Sequence, residues 1–127
     1  MPNLNQVEIM GHLVQDAEMR YTKSGKAVTN MRVAVNRNYG DGTAFIDVEI
    51  WNKGNYKLAE YRGKDKKGSL VFIKGELKQD NWEDNNGNKR NKIKIVADKA
   101  FNFSEKKTES KQTEIDDELD DEFQVPF

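Results

Sequence analysis

Cysteine is absent from this 127-residue chain. That excludes a disulfide framework and a thiolate metal site, and it fits a reducing compartment. Histidine occurs once, as His12, with no second histidine or cysteine to share a metal ion; it reads as a strand-surface or interface residue. Long apolar runs are missing too, and nothing approaches the roughly 18–20 residues of a membrane span. The opening stretch, MPNLNQVEI, lacks the charged-then-apolar layout of a secretory signal. The expectation is a soluble intracellular protein of one domain's size, able to build a core without covalent staples and needing no cofactor.

Net charge is scarce as well, at −1, but the balance hides an asymmetry. Residues 1–103 carry 18 Lys and Arg against 13 Asp and Glu, whereas residues 104–127 carry three Lys against nine Asp and Glu. A basic body with an acidic tail is a pattern of polyanion binders whose tail has separate work.

What is present centres on Val28 to Trp51, two alternating, β-branched segments joined by a Gly/Asp loop. Met31, Val33 and Val35 fall on one face of the first, opposite Arg32 and Ala34. In the second, Ile46, Val48 and Ile50 share a face, and Phe45 and Trp51 share the other with Asp47 and Glu49. The aliphatic face fills a core, so the two aromatics point away from it and require a partner. Tyr39 lies in the joining loop, with Arg37 before it. Aromatics interleaved with cations suit a ligand with flat rings and negative charge, as single-stranded nucleic acid has. Packing against a second sheet, a helix or another subunit would use the same residues.

Around this stretch, Val7 to Leu13 reads as a first strand, with Gly11 marking a bulge or a close backbone approach. Gln15 to Gly25 is a connection. Asn52 to Arg62 is the one helical segment, stopped by Gly63 and too short to form a core. Gly63 to Gly68 is an exposed basic loop. A fourth strand spans Ser69 to Lys78, with Val71, Ile73 and Leu77 inward. Asn86-Gly87 is a strong hairpin signal, and Trp82 stands on the arm leading into it. A fifth strand spans Lys92 to Ala97, and Phe101 and Phe103 close the core. Five strands, one short helix and a long hairpin describe an all-β OB-fold barrel over residues 1–103. Beyond it, 104–119 reads as a disordered acidic linker. Residues 120–127 form an acidic-hydrophobic tip: Asp120, Asp121, Glu122, Phe123, Val125, Pro126 and Phe127 look like a peptide ligand for a basic, greasy pocket.

The chain resembles the single-stranded DNA-binding protein (SSB) family of bacteria and phages over residues 4–103 and again at the C-terminus. The resemblance is carried by Gly11-His12-Leu13, Asp16-Ala17-Glu18-Met19-Arg20-Tyr21, Gly25-Lys26-Ala27-Val28, Ala34-Val35-Asn36-Arg37, Phe45-Ile46-Asp47-Val48 with Trp51, Lys67-Gly68-Ser69 and Gly75-x-Leu77. It implies base-stacking roles for Tyr39, Phe45, Trp51 and Trp82, at roughly 1–3 kcal/mol per stacked base. Arg32, Arg37, Lys53, Lys67 and Lys78 would neutralise phosphates. It further implies a cytoplasmic homotetramer at replication forks and the nucleoid, with no catalytic residues, that coats and protects single strands in replication, recombination and repair. Its tip would recruit partner proteins. The chain departs from the family in placing Ala17 where Pro is usual, in Asp47 and Glu49 on the proposed binding face, and in a short linker that favours a phage origin. Two rival readings remain: an RNA-binding or assembly module using the same face, and a nuclease holding Mg²⁺ on Asp47 and Glu49.

Overall fold

The β-branched alternation that organises the sequence is carried into three dimensions by the strands β3, Ala27–Asn36, and β4, Thr43–Trp51. They pair antiparallel from Val28↔Trp51 to Asn36↔Thr43. Val33, Val48 and Ile50 are fully buried, while Arg32 and Phe45 are exposed. Around this pair lie β1 (Val7–Leu13), β2 (Glu18–Tyr21), helix α1 (Leu58–Arg62), β5 (Leu70–Glu83) and β6 (Lys89–Asn102). The computed structural model describes residues 2–104. The expected linker beyond Ser104 and the whole tip, from Asp120 to Phe127, lie outside the described residues.

The sheet runs β1-β5-β6-β4-β3-β2, and β1 also pairs with β3. Following the pairings from β1 through β5, β6, β4 and β3 therefore leads back to β1. All pairs are antiparallel except β4 with β6, joined in parallel from Val48↔Ile95 to Ile50↔Ala97. Two glycines permit the close backbone approaches this path requires. A Cβ on Gly11 would stand 2.2 Å from the Ala34 carbonyl oxygen, and one on Gly75 would stand 2.1 Å from that of Val96. Of the two alternatives at Gly11, the close approach is the one found; the bulge lies in the β5–β6 pair, where Lys74 faces Lys99 and Gly75 faces Ala97, leaving Asp98 as the extra residue.

The core gathers Leu13, Met31, Val33, Val48, Ile50, Val71, Ile73, Ile95, Ala97 and Ala100, with Leu58 and Ala59 of the helix. Each fully buried aliphatic contributes about 1.5–3 kcal/mol relative to exposure. The helix, too short to form a core by itself, adds Leu58 and Ala59 to this one. Asn52 supplies its cap from outside: its Oδ1 accepts from the Ala59 amide at 2.9 Å, and its Nδ2 donates to Glu60 at 2.8 Å. The Thr29 hydroxyl, fully buried, donates to the Ala59 carbonyl. Gly63 ends the helix in right-handed geometry, with φ −62°. Glycine is required there for space, since a Cβ would sit 2.8 Å from that of Met19.

Several expectations are corrected. The described residues hold six strands, not five: β2 forms inside the presumed connection, pairing Glu18–Tyr21 with Ala27–Asn30 of β3. Its four residues, Glu18-Met19-Arg20-Tyr21, do alternate polar and apolar, but the run is only four residues long and all of them are exposed, so the segment reads as part of a connection. Both hairpin strands are longer than expected: β5 reaches Glu83 and β6 spans Lys89–Asn102, and their polar outer halves stay paired in register. Leu77 was read as inward but is exposed, as is Ile93, because the β5–β6 arm extends past the core. The backbone of Leu77 is instead held by Asn5, whose side-chain amide donates to its carbonyl and accepts from its N–H, both at 2.8 Å. Phe101 and Phe103 do not close the core. The bulge at Asp98 turns Phe101 outward, where it stacks on Phe72 with centroids 6.2 Å apart, and Phe103 stays exposed. Finally, the basic loop after the helix hides an acid. Asp65 is buried, accepts from Asn102 at 2.9 Å and lies 3.5 Å from buried Arg62. Its backbone carbonyl accepts from the Ala17 N–H at 3.0 Å, a bond that the family's usual proline could not donate.

Candidate nucleic-acid interface

Strand alternation sends one row of side chains outward from each of β3, β4, β5 and β6, and the registers bring these rows together. On β4, Phe45 is 55% exposed, and the Arg32 guanidinium of β3 lies 5.5 Å from its ring centroid. That is cation–π distance, so the ring is both presented and oriented. In the loop between the two strands, Tyr39 is 86% exposed and Arg37 is exposed. Neither Arg32 nor Arg37 forms an ion pair among the described residues.

Further along β4 the face changes character. Trp51 is partly buried, opposite fully buried Val28, and its indole N–H donates to Glu49 Oε1 at 2.7 Å. Glu49 is only 7% exposed, and its other oxygen accepts from Lys94 of β6 at 2.6 Å. Lys94 reaches Asp80 of β5 as well, at 2.8 Å, and Lys92 pairs with Asp47 at 2.6 Å. Burial pushes the Glu49 carboxyl up, but the hydrogen bonds from Lys94 and Trp51 and the attraction of Lys94 and Lys78 outweigh it, leaving its pKa below the ordinary value. Burial likewise pulls Lys94 down, yet its bonds to Asp80 and Glu49 win and raise it. A carboxylate on a nucleic-acid face would repel phosphate; here Asp47 and Glu49 each meet a lysine, so the centre of the face carries little free negative charge.

On the hairpin, Lys78 and Trp82 share the outward face of β5, and Trp82, 49% exposed, stands opposite Arg90. Asp84 fixes the turn: its carboxylate accepts from the amides of Asn86 and Asn88 at 2.9 Å and from Arg90 Nε at 3.0 Å. The backbone bond from Asn88 leads the causes that lower its pKa. Gly87 takes φ +81°, as the Asn-Gly turn requires.

Of the nine residues proposed for the nucleic acid, Arg32, Phe45, Trp51, Lys78 and Trp82 are brought onto one outward surface, with Arg37 and Tyr39 at its loop edge. Lys53 lies just past Trp51 and is engaged by Asp98, the bulged residue of β6, whose pKa that hydrogen bond lowers. Lys67 stands apart, on the loop before β5 at the end away from Trp82, where its backbone N–H donates to Asp16 at 2.8 Å. Lys92, Lys94 and Arg90 were not singled out from the sequence. Alternation with Ile93 and Ile95 placed Lys92 and Lys94 outward, while Arg90 fell in the expected hairpin; the parallel pairing that sets β6 beside β4 joins segments some 45 residues apart and leaves no local signal. A cleft lined by Gln15, Arg20, Arg32, Asp47, Lys92 and Lys94, among others, runs beside this surface.

Comparison with known proteins gives a consistent answer. The family model described as "Single-strand binding protein family" matches residues 4–104. A single-stranded DNA-binding protein of Deinococcus radiodurans is 37% identical over 101 residues, covering 74% of this chain and 32% of its own. That of Caldanaerobacter subterraneus is 37% identical over 133 aligned positions, covering 98% of this chain and 85% of its own. That of Borreliella burgdorferi is 35% identical over 111 residues, covering 82% and 72%. This chain thus spans about a third of the length of some curated relatives, such as the Deinococcus protein, and most of others.

Proposed function

This chain belongs to the single-strand binding protein family, and from that premise we propose that it coats single-stranded DNA without regard to sequence. Bases stack on Tyr39, Phe45, Trp51 and Trp82, and phosphates meet Arg32, Arg37, Lys78 and, with less effect, Lys53 and Lys67. The observation that carries this reading is the outward row of aromatics beside cations, with Phe45 exposed under Arg32. The ring of β1, β5, β6, β4 and β3 is read as a five-stranded OB-fold barrel, with β2 added at its edge. The protein serves replication, recombination and repair in the cytoplasm, at forks and the nucleoid. It is not an enzyme: the Asp47 and Glu49 pair that a nuclease would offer to Mg²⁺ is already engaged by Lys92 and Lys94.

Assembly as a homotetramer belongs to the same proposal. Val7 to Gly11 of β1 pair with β5 alone, since β3 takes only His12 and Leu13, so this edge is open to a β1 strand of a second copy. Residues 120–127 are proposed to recruit replication and repair proteins through their acidic residues and the apolar Val125-Pro126-Phe127, with 104–119 as linker. Removing Gln124–Phe127 should abolish binding to such partners while dT binding persists; retained partner binding would contradict that role.

The test of the central reading is intrinsic fluorescence titration with dT and RNA oligonucleotides of equal length. Strong quenching by dT at low protein concentration is expected. Preference for the RNA would favour the RNA module, and degradation of either strand in Mg²⁺ would favour the nuclease.

A further inference from the structure

A buried carboxylate in a strand where its neighbours Val48 and Ile50 are core residues is costly unless both oxygens are satisfied. Glu49 meets that requirement in a particular way. Oε1 takes the indole N–H of Trp51 at 2.7 Å, and Oε2 takes Lys94 at 2.6 Å. Lys94, itself largely buried, continues to Asp80 at 2.8 Å. The chain Trp51–Glu49–Lys94–Asp80 thus crosses from β4 over β6 to β5, the strand that carries Trp82 on the same outward face two residues beyond Asp80. A valine would satisfy the burial at position 49 and the strand conformation, but it would leave the indole edge without an acceptor.

We propose that Glu49 is a positioning residue: it fixes the Trp51 ring for base stacking before DNA arrives and, through Lys94, sets that ring relative to the hairpin bearing Trp82. This deepens the single-strand reading and rests on it. A ring already held in its binding orientation loses less freedom on binding, and that saving appears directly as affinity. Glu49 touches no base in this scheme; it acts through Trp51.

The test is a double-mutant cycle on binding to a labelled dT oligonucleotide, together with a readout on the free protein. The chain has two tryptophans, so Trp82→Phe leaves Trp51 as sole reporter. In that background Glu49→Val should add a fast component to the time-resolved anisotropy of Trp51, and Glu49→Gln, which keeps an acceptor oxygen, should restore most of the restriction. Glu49→Val should weaken dT binding about three- to tenfold, consistent with freeing one side chain. In a Trp51→Phe background, where no indole N–H remains, the same substitution should cost nothing further. Replacing the Trp51 indole by benzothiophene removes the N–H while leaving Glu49 and Lys94 in place, so it reports even if Glu49→Val fails to fold; it should give the same loss. Equal loss from Glu49→Val in both backgrounds, unaltered Trp51 anisotropy, or wild-type binding by the benzothiophene protein would each overturn the proposal. Absence of dT binding by the wild-type protein would instead overturn the single-strand reading, and the anisotropy of the free protein would still decide whether Glu49 holds the ring.

Discussion

The two ends of β4 sit on the same sheet and face the same way, yet they are built oppositely. Around Trp51 the charges are closed into pairs: Glu49 with Lys94, Lys94 with Asp80, Asp47 with Lys92, Lys53 with Asp98. Around Phe45, Arg32 leans on the ring and Arg37 and Tyr39 extend from the loop, with no carboxylate holding either cation among the described residues. The closed end is electrically quiet and, in the proposal above, preorganised. The open end has free cations that can exchange their counterions for phosphate. Under the proposed function, one surface would divide the tasks of single-strand binding, shape at one end and charge at the other.

The comparison is most sharply broken by attacking what both ends share. Ile73 is fully buried beneath the sheet, so Ile73→Ala should cost about 2–5 kcal/mol of stability in urea unfolding and weaken DNA binding only as far as the fold is lost. Substitutions on the face itself should separate the ends. Trp51→Ala should reduce dT affinity by about 1–3 kcal/mol and also lower the melting temperature, because it uncovers Val28 and strands the Glu49 carboxylate. A Trp51→Ala protein with unchanged melting would show that the closed end is no closed unit. Smaller effects should appear in salt. Arg37→Ala should reduce the slope of log K against log[salt] by about 0.7, the single-strand value for one phosphate contact. Lys53→Ala should reduce it by clearly less, since Lys53 exchanges Asp98 rather than a mobile counterion; equal slopes would erase the distinction. The mildest perturbation is acid. Glu49 and Asp80 have lowered pKa values, so their contribution to stability is complete above the usual carboxylate range and is lost as the pH falls through the lowered values. Asp84 and Asp98 add to the same loss. Lys94, raised, gives up its share only in alkali, as the pH climbs past its raised value. Thermal melts should therefore be flat near neutrality and fall in acid, with Trp51 emission, read in Trp82→Phe protein, changing in that same acid window.

The division also marks what could be read from the sequence. Alternation separated Val48 and Ile50 from Phe45 and Trp51, because β4 runs from Phe45 to Trp51 as one strand in unbroken register with β3. The Asn-Gly turn and the open aromatics were legible for the same local reason. The closed end was not, since its lysines come from β6 through a pairing that has no local signature. Asp47 and Glu49 thus read only as a departure on the proposed binding face, whereas in the fold they are the partners that hold Lys92 and Lys94. The short β2 and the outward turn of Phe101 escaped notice because one depends on pairing with β3 and the other on a bulge. The pocketed Asp65 was hidden by the lysines around it in the chain.

Phe45 tests the account most directly, because it lies at the open end, exposed, with Arg32 over its ring and no part in the core. The measurement is the affinity of Phe45→Ala for a dT oligonucleotide, followed by tryptophan quenching alongside a urea melt of the same protein. The account predicts an affinity loss of about 1–3 kcal/mol with an unfolding midpoint close to that of the wild type. Wild-type affinity in a folded Phe45→Ala protein would contradict the claim that this face stacks the bases of a single strand.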